Sequence, residues 1–175
     1  MSRKERNSIM TIAQLAQKMI AYSEGNLHDI THFLKVWSFA KTIGELEGLM
    51  PETQFILETA ALVHDIACPL CRKKYGNTNG KMQEKEGEPL ARDFLEETGL
   101  TTDQIDRITY LVAHHHTFKD VQGDDYQILL EADYLVNAEE SGYSIQNIQN
   151  TVSRIFKTKS GCQIAKAIYS DIKIG

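Results

Sequence analysis

The chain has 175 residues, of which 42% are apolar and 25% are charged, as in an ordinary globular domain with one hydrophobic core. Nineteen Lys and Arg residues against 24 Asp and Glu residues give a formal net charge of -5. No broad basic surface is therefore available to attract a nucleic-acid duplex by counterion release. The longest apolar stretch, Ala60 to Val63, is far shorter than the roughly 20 residues of a membrane-spanning helix. We expect neither a nucleic-acid duplex nor a membrane as a partner.

The N-terminus and the cysteines indicate the compartment. The first residues are basic but lead into an amphipathic run, without the continuous apolar core of a secretory signal peptide. Three cysteines, of which only Cys68 and Cys71 are close in sequence, do not imply a disulfide framework. Cys68 and Cys71 could form half of a zinc site or a redox pair, but a structural zinc site needs four ligands and there is no second Cys pair. A packing or loop-closing role is therefore favoured for these two cysteines. We expect a cytoplasmic protein.

Apolar residues recur at helical spacing along nearly the whole chain, and no sustained alternating pattern indicates a strand. This periodicity predicts an all-α fold. A first helix begins near Ile12 and ends near Gly25, a second runs to about Leu49, and a third begins at Pro51. The third helix should end by Cys68, because the following proline disfavours helical geometry in the residue before it.

The segment from Pro69 to Gly80 is rich in Gly, Asn and Lys. It is predicted to be a loop of about a dozen residues, a length that is often functional. A fourth helical region, from about Met82 to Thr98, contains Pro89 and is expected to be kinked or split into two short helices. Gly99 supplies its stop signal.

A fifth helix is predicted to begin at a cap formed by Thr101 or Thr102. Its apolar face continues at helical spacing onto His115 and His116, which places both imidazoles toward the core. A sixth helix spans Tyr126 to Glu140 and carries an acidic residue inside an apolar face. The fifth and sixth helices therefore both present polar side chains to the interior.

Two C-terminal helices, at about 144–158 and 160–173, complete the chain. No internal repeat or linker indicates a second domain. The sequence therefore predicts one all-α domain over residues 1–175, a bundle of about seven to eight helices with its core at about 28–140.

Two His-Asp dipeptides differ in their surroundings. His28-Asp29 follows a Gly-Asn pair, where Asp29 could simply cap the next helix. His64-Asp65 instead closes an apolar helix, so two polar side chains are placed against the core. Burying a neutral polar group costs roughly 2–7 kcal/mol, and a charge costs more, unless the group is paired or binds a metal. A metal-ligand role would offset this cost.

His32 and Asp133 are also polar residues in inward-facing helical positions. Imidazoles and carboxylates together suit Fe, Mn, Co, Ni or Zn, and more weakly Mg. With these residues in order, the sequence resembles the HD-domain metal-dependent phosphohydrolases, whose pattern is a His, a His-Asp doublet and a distant Asp on an all-helical scaffold. The resemblance spans about residues 28–140 and implies that His32, His64, Asp65 and Asp133 are metal ligands.

Dinuclear members of that family carry further His ligands between the doublet and the final Asp, and His115 and His116 fit that region. The resemblance departs at one point, because such members carry another His shortly before a Gly, where this chain has Gln83, Glu84, Lys85 and Glu86. Either Glu84 or Glu86 substitutes as a ligand, with Glu84 preferred, or the second ion is held less completely. One or two ions are therefore expected.

Position 68 separates this chain from some nucleotide-monophosphate phosphatases of the family. Those members carry a Glu three residues after the His-Asp pair, and Cys68 stands there instead. That particular activity is therefore disfavoured.

The ligand set predicts hydrolysis of a small phosphate ester, with a nucleotide or cyclic nucleotide as the expected substrate. Divalent ions lower the pKa of bound water and screen phosphoryl oxygens. The resemblance implies that Asp65 orients that water, and His114 is a candidate donor to the leaving oxygen. The candidate phosphate contacts are cationic: Lys35, Arg72 and Lys74.

Two alternative functions stay open at this point. The first is a dinuclear-iron oxygenase on the same scaffold, and the second is a non-catalytic nucleotide-binding regulatory module. The helical pattern does not determine the oligomeric state, for which a homodimer is one alternative.

Overall fold

The computed structural model describes residues 8–172, and this part of the chain contains nine α-helices and no strand. The predicted all-α fold is thus confirmed, with one helix more than expected. The basic N-terminal residues and Lys173, the predicted end of the last helix, lie outside the described residues. The helices are α1 (Ile12–Tyr22), α2 (Leu27–Glu47), α3 (Pro51–Val63), α4 (Cys68–Tyr75), α5 (Gly80–Leu95), α6 (Thr102–Val112), α7 (Asp124–Glu140), α8 (Ile145–Ile155) and α9 (Lys159–Ile168).

The additional helix is α4, which occupies most of the segment predicted to be a loop. That prediction was wrong because Pro69 lies in the first turn of α4, where a missing backbone N–H breaks no helical hydrogen bond. The proline therefore starts a helix there, after a turn at residues 64–67 has ended α3. Gly76, at a φ of 72°, ends α4 in the left-handed conformation that glycine adopts most easily.

The helix boundaries around α5 and α6 refine two further predictions. Thr101 caps α6 and forms a reciprocal capping box with Gln104. The α5 helix is continuous from Gly80 to Leu95 although it contains Pro89. The α6 helix ends at Val112, so the three consecutive histidines lie in the turn that follows and not on a helical continuation.

The core lies where α2, α3 and α7 pack against one another, while α5 pairs with α6 and α9 packs against α2 and α7. Most residues of α7 are buried. The stretch Pro51–Tyr75 is long and apolar enough to span a membrane by composition alone, but 67% of its most apolar window is buried. Such burial is typical of a core helix. The single-domain organisation over residues 1–175 stays a prediction.

One buried carboxylate attaches the C-terminal segment to α7. Glu131 is fully buried, and its Oε1 accepts hydrogen bonds from the backbone N–H groups of Lys157 at 2.7 Å and Thr158 at 3.0 Å. The side chain of Gln127 donates to the same oxygen at 2.8 Å. These bonds fix the connection between α8 and α9, and with it the position of α8 beside α7.

Candidate metal centre

Four separate elements bring polar side chains to one point in the core. His32 lies on α2, His64 and Asp65 follow the end of α3, and Asp133 lies in the middle of α7. His115 comes from the turn after α6. The three imidazoles and Asp133 are buried, as their apolar sequence surroundings predicted.

A first group of donor atoms contains His32, His64 and Asp65, whose ligand atoms lie within 4.8 Å of one another. The Nε2 atom of His32 lies 3.3 Å from Nε2 of His64 and 3.3 Å from Oδ2 of Asp65. Oδ1 of Asp133 lies 3.3 Å from Nε2 of His32 and 3.4 Å from Nε2 of His64. Two imidazole nitrogens and one oxygen of Asp65 form this group, with Oδ1 of Asp133 close to both imidazoles, and such a donor set suits a divalent transition metal.

A second group contains Asp65, His115 and His116, again within 4.8 Å of one another. Oδ1 of Asp65 lies 3.2 Å from Nε2 of His115, whereas Oδ2 faces His32 in the first group. The Asp65 carboxylate therefore presents one oxygen to each group. Asp65 would therefore be able to contribute a donor oxygen to a divalent ion held by either group, and such an ion would supply the activation of water.

Several buried atoms of the centre are left without a hydrogen-bond partner by the described residues: His115 Nε2, His116 Nε2 and Asp133 Oδ1. Two of them lie close to another donor atom of the centre, Asp133 Oδ1 at 3.3 Å from His32 Nε2 and His115 Nε2 at 3.2 Å from Asp65 Oδ1, without forming a hydrogen bond to it. Unpaired buried polar atoms are costly. Donor atoms that converge without bonding one another are expected where a cation binds between them, so the residues present fit a metal site.

The other nitrogen of each buried imidazole is held by a specific acceptor. Nδ1 of His64 donates to the carbonyl of Ala61 at 2.8 Å, and Nδ1 of His115 donates to the carbonyl of Val112 at 2.7 Å. Because a carbonyl only accepts, both rings keep a proton on Nδ1 and turn Nε2 toward the centre. Outer partners of this kind orient ligating histidines and raise their basicity.

His32 is held by a carboxylate that the sequence did not single out. Its Nδ1 lies 2.7 Å from Oε2 of Glu140, at the end of α7. Glu140 follows Asp133 by seven residues, which is two helical turns, so both lie on one face of α7. This seven-residue spacing from Asp133 could have identified Glu140 from the sequence.

The carboxylates and imidazoles shift one another's pKa values strongly. Burial lowers the pKa of His32, but the carboxylates of Asp133, Asp65 and Glu140 outweigh it and raise this pKa to about 9. Burial alone would raise the pKa of Asp65, yet the neighbouring His64 and His115 hold it below its usual range. The protonated His32 ring thus balances the carboxylates, and a bound cation would replace that proton.

The pKa of His116 is shifted in the direction opposite to that of His32. Burial, reinforced by the charge of His115, lowers its pKa to about 4. A neutral imidazole is the form that binds a metal, so His116 needs no proton release to act as a ligand.

Two predicted site residues are not brought to the centre. Glu84 accepts hydrogen bonds from the backbone N–H of His116 at 3.0 Å and from the hydroxyl of Thr117 at 2.9 Å, and it belongs to neither ligand group. His114 stacks on Tyr110 and directs Nδ1 to that residue's carbonyl at 2.7 Å. Glu84 therefore shapes the turn that carries His116, and His114 lies outside both groups.

The three predicted phosphate contacts are all engaged in ion pairs. Lys35 lies 3.2 Å from Glu139 and 3.1 Å from Glu140. Lys74 lies 2.8 Å from Glu86. Arg72 pairs with the carboxylate of Asp29. Their charges are compensated before any phosphate arrives.

Gln83, and not Glu84, lies beside the second ligand group. Its side chain is buried and lines the same cavity as Asp65 and His116. Its nitrogen donates to the carbonyl of Thr78 at 2.7 Å, which leaves the buried Oε1 without a hydrogen-bond partner among the described residues. An amide oxygen in this position is a further donor atom beside the second ligand group.

Comparison with known proteins agrees with this geometry. The HD domain family model matches residues 29–138, more than half of the chain. The chain therefore belongs to the HD domain family, whose members are generally metal-dependent phosphohydrolases. No curated protein and no solved structure matches the chain.

Proposed function

We propose that the protein hydrolyses a small phosphate ester, a nucleotide or cyclic nucleotide, at a centre of one or two divalent ions. The observation that carries the proposal is the position of Asp65, whose two oxygens face two different groups of donor atoms. When bound, divalent ions lower the pKa of water and screen the phosphoryl oxygens.

The protein's own residues would orient the reactants. Asp65 is the acceptor positioned between the two groups, so it would orient the attacking water. His32 and Asp133 hold the first side of the centre, while His115 and His116 hold the second. The adjoining cleft has a volume of about 570 Å³, within the range of pockets that bind ligands of nucleotide size.

The test compares purified full-length protein loaded with one metal at a time: Fe, Mn, Co, Ni, Zn or Mg. Phosphate release is measured from nucleoside monophosphates, cyclic nucleotides and p-nitrophenyl phosphate, and bound metal is counted by mass spectrometry. His64→Ala and Asp65→Ala should lose metal and turnover together. His28→Ala is the matched control for metal content, because that side chain, 76% exposed, belongs to the other His-Asp dipeptide.

Equal turnover in the wild type and in both variants would contradict the proposal. Oxygen uptake by the iron-loaded protein would favour an oxygenase instead. Tight nucleotide binding without turnover under every metal would favour a regulatory module.

A further inference from the structure

A cleft leads away from the metal centre between α7 and α8. At one end, His116 and Gln83 line both this cleft and the smaller cavity of about 220 Å³ over His32 and Asp65. At the other end, Arg154 and Ile155 line both the cleft and a third cavity of about 290 Å³. The cleft therefore connects the metal centre with Arg154 on α8.

Arg154 differs from the cations near the centre, because the described part of the chain offers it no ion-pair partner. Lys35, Arg72 and Lys74 are each paired with a carboxylate. Within residues 8–172, the guanidinium of Arg154 has neither an ion pair nor a hydrogen bond, and outside its helix the backbone carbonyl of this residue accepts from the side chain of Lys157. In a protein of net charge -5, an uncompensated guanidinium beside a cleft is an available oxyanion site.

The position of Arg154 is fixed by its helix. Ile148 and Val152 bury one face of α8, and the segment directly after α8 is tied to Glu131 through the backbone of Lys157. The cleft wall is further ordered by Tyr134, whose hydroxyl donates to Oδ1 of Asn147 at 3.0 Å. The backbone that carries the exposed Arg154 side chain is therefore held in place by packing, which favours a defined position for a binding residue.

We propose that Arg154 binds a second oxyanion of the substrate while the scissile phosphate lies at the metal centre. This proposal rests on the proposed phosphohydrolase function and narrows its substrate to phosphate esters with two anionic groups. The second group is a phosphate or a carboxylate, since both match the fork of N–H donors on a guanidinium. The part of the substrate between its two anionic groups lies along the polar side of the cleft, formed by Asn137 and Asn147.

The experiment compares three probes with the metal-loaded protein. p-Nitrophenyl phosphate has one anionic group, adenosine 3′,5′-bisphosphate has a second phosphate, and 3-phosphoglycerate has a carboxylate. For Arg154→Ala, KM should rise roughly tenfold to a hundredfold on the probe that carries the preferred second group. The kcat on p-nitrophenyl phosphate and the metal content should stay unchanged.

Two further variants separate binding from structure. Arg154→Lys should restore part of the lost affinity, because it keeps the charge without the planar fork. Lys159→Ala removes an equal charge from an exposed position outside the cleft and should change no KM value. An equal effect of Arg154→Ala on all three probes, or none on any, would overturn the proposal.

The proposal is distinguishable from the function on which it rests. If the wild type hydrolyses no probe, the proposed function fails, and calorimetric titration of the same probes then tests Arg154 alone. Weaker binding of only the doubly anionic probes by Arg154→Ala would still support the site. Equal binding by wild type and variant would refute it.

Discussion

The carboxylate of Glu140 lies 2.7 Å from Nδ1 of His32, on the side of the ring opposite the donor atoms of the metal centre. The same carboxylate pairs with Lys35 at 3.1 Å. An acceptor in this place fixes the ring orientation of His32 and makes Nε2 a stronger ligand. Glu140 is therefore a positioning residue for the metal centre, although it does not face the ligand groups.

Glu140→Gln should weaken metal binding because His32 loses its anionic partner. The expected loss is roughly tenfold to a hundredfold in affinity, the usual effect of removing an outer partner of a metal ligand. Competition with a fluorescent chelator measures it. Glu139→Gln is the matched control, since Glu139 pairs with the same lysine and is 67% exposed. A similar loss in both variants would assign the effect to Lys35 and not to His32.

Gln83→His should strengthen the second ligand group. An imidazole in place of the amide offers a better metal donor, and Gln83 already lines the cavity with His116. Metal counted after dialysis should therefore rise toward two ions per chain. Glu84→Gln should leave the count unchanged, because an amide oxygen can still accept from the backbone of His116. The reverse pattern, with no gain from Gln83→His and a loss from Glu84→Gln, would make Glu84 the ligand.

The helical periodicity of α5 determines that Gln83, and not the neighbouring Glu84, faces the second ligand group. Gly87, Ala91 and Phe94 are buried on one face of α5, and Gln83 lies four residues before Gly87 on that face. The same phase directs Glu84 to the turn after α6. The sequence analysis considered only the carboxylates of Glu84 and Glu86 as ligands at this position and did not consider the amide of Gln83.

The principal ligand candidates could be predicted because each breaks an apolar helical face at an inward position. His32, His64 and Asp133 are all buried, as that argument required. The ion pairs of the cations could not be predicted, because they join residues on different helices whose spatial proximity no local pattern encodes. Arg72 and Asp29, for example, are 43 positions apart in sequence. The start of α4 was missed because a proline signals both the end and the start of a helix.

Gly80→Ala should disturb the second ligand group alone. A methyl group at this position would lie 2.8 Å from Cγ of the His116 ring, so the ring must shift. Metal bound by His116 should fall, while metal bound by His32 and His64 should remain. The measurement is the metal count at increasing chelator concentration, where loss of one ion and not two is expected. Lys81→Ala, at the neighbouring position, should behave as the wild type; loss of both ions from Gly80→Ala would indicate general unfolding.

Glu131→Ala should destabilise the fold without touching the metal ligands. The substitution leaves the backbone N–H groups of Lys157 and Thr158 without their acceptor and opens a fully buried position. The loss of a charged acceptor for two part-buried N–H groups, together with the vacated core volume, predicts a decrease of roughly 3–5 kcal/mol in the free energy of unfolding. Urea denaturation measures this decrease. Glu131→Gln keeps an acceptor oxygen, so its free energy of unfolding should decrease clearly less.

Loss of the Glu131 carboxylate should affect substrate binding as well as stability. Glu131 fixes the segment after α8, so its loss should also displace Arg154 along the cleft. In Glu131→Ala, KM for doubly anionic phosphate esters should rise at temperatures where the protein is still folded, while turnover of p-nitrophenyl phosphate changes little. A stability loss with unchanged KM for every substrate would show that α8 keeps its place without this attachment.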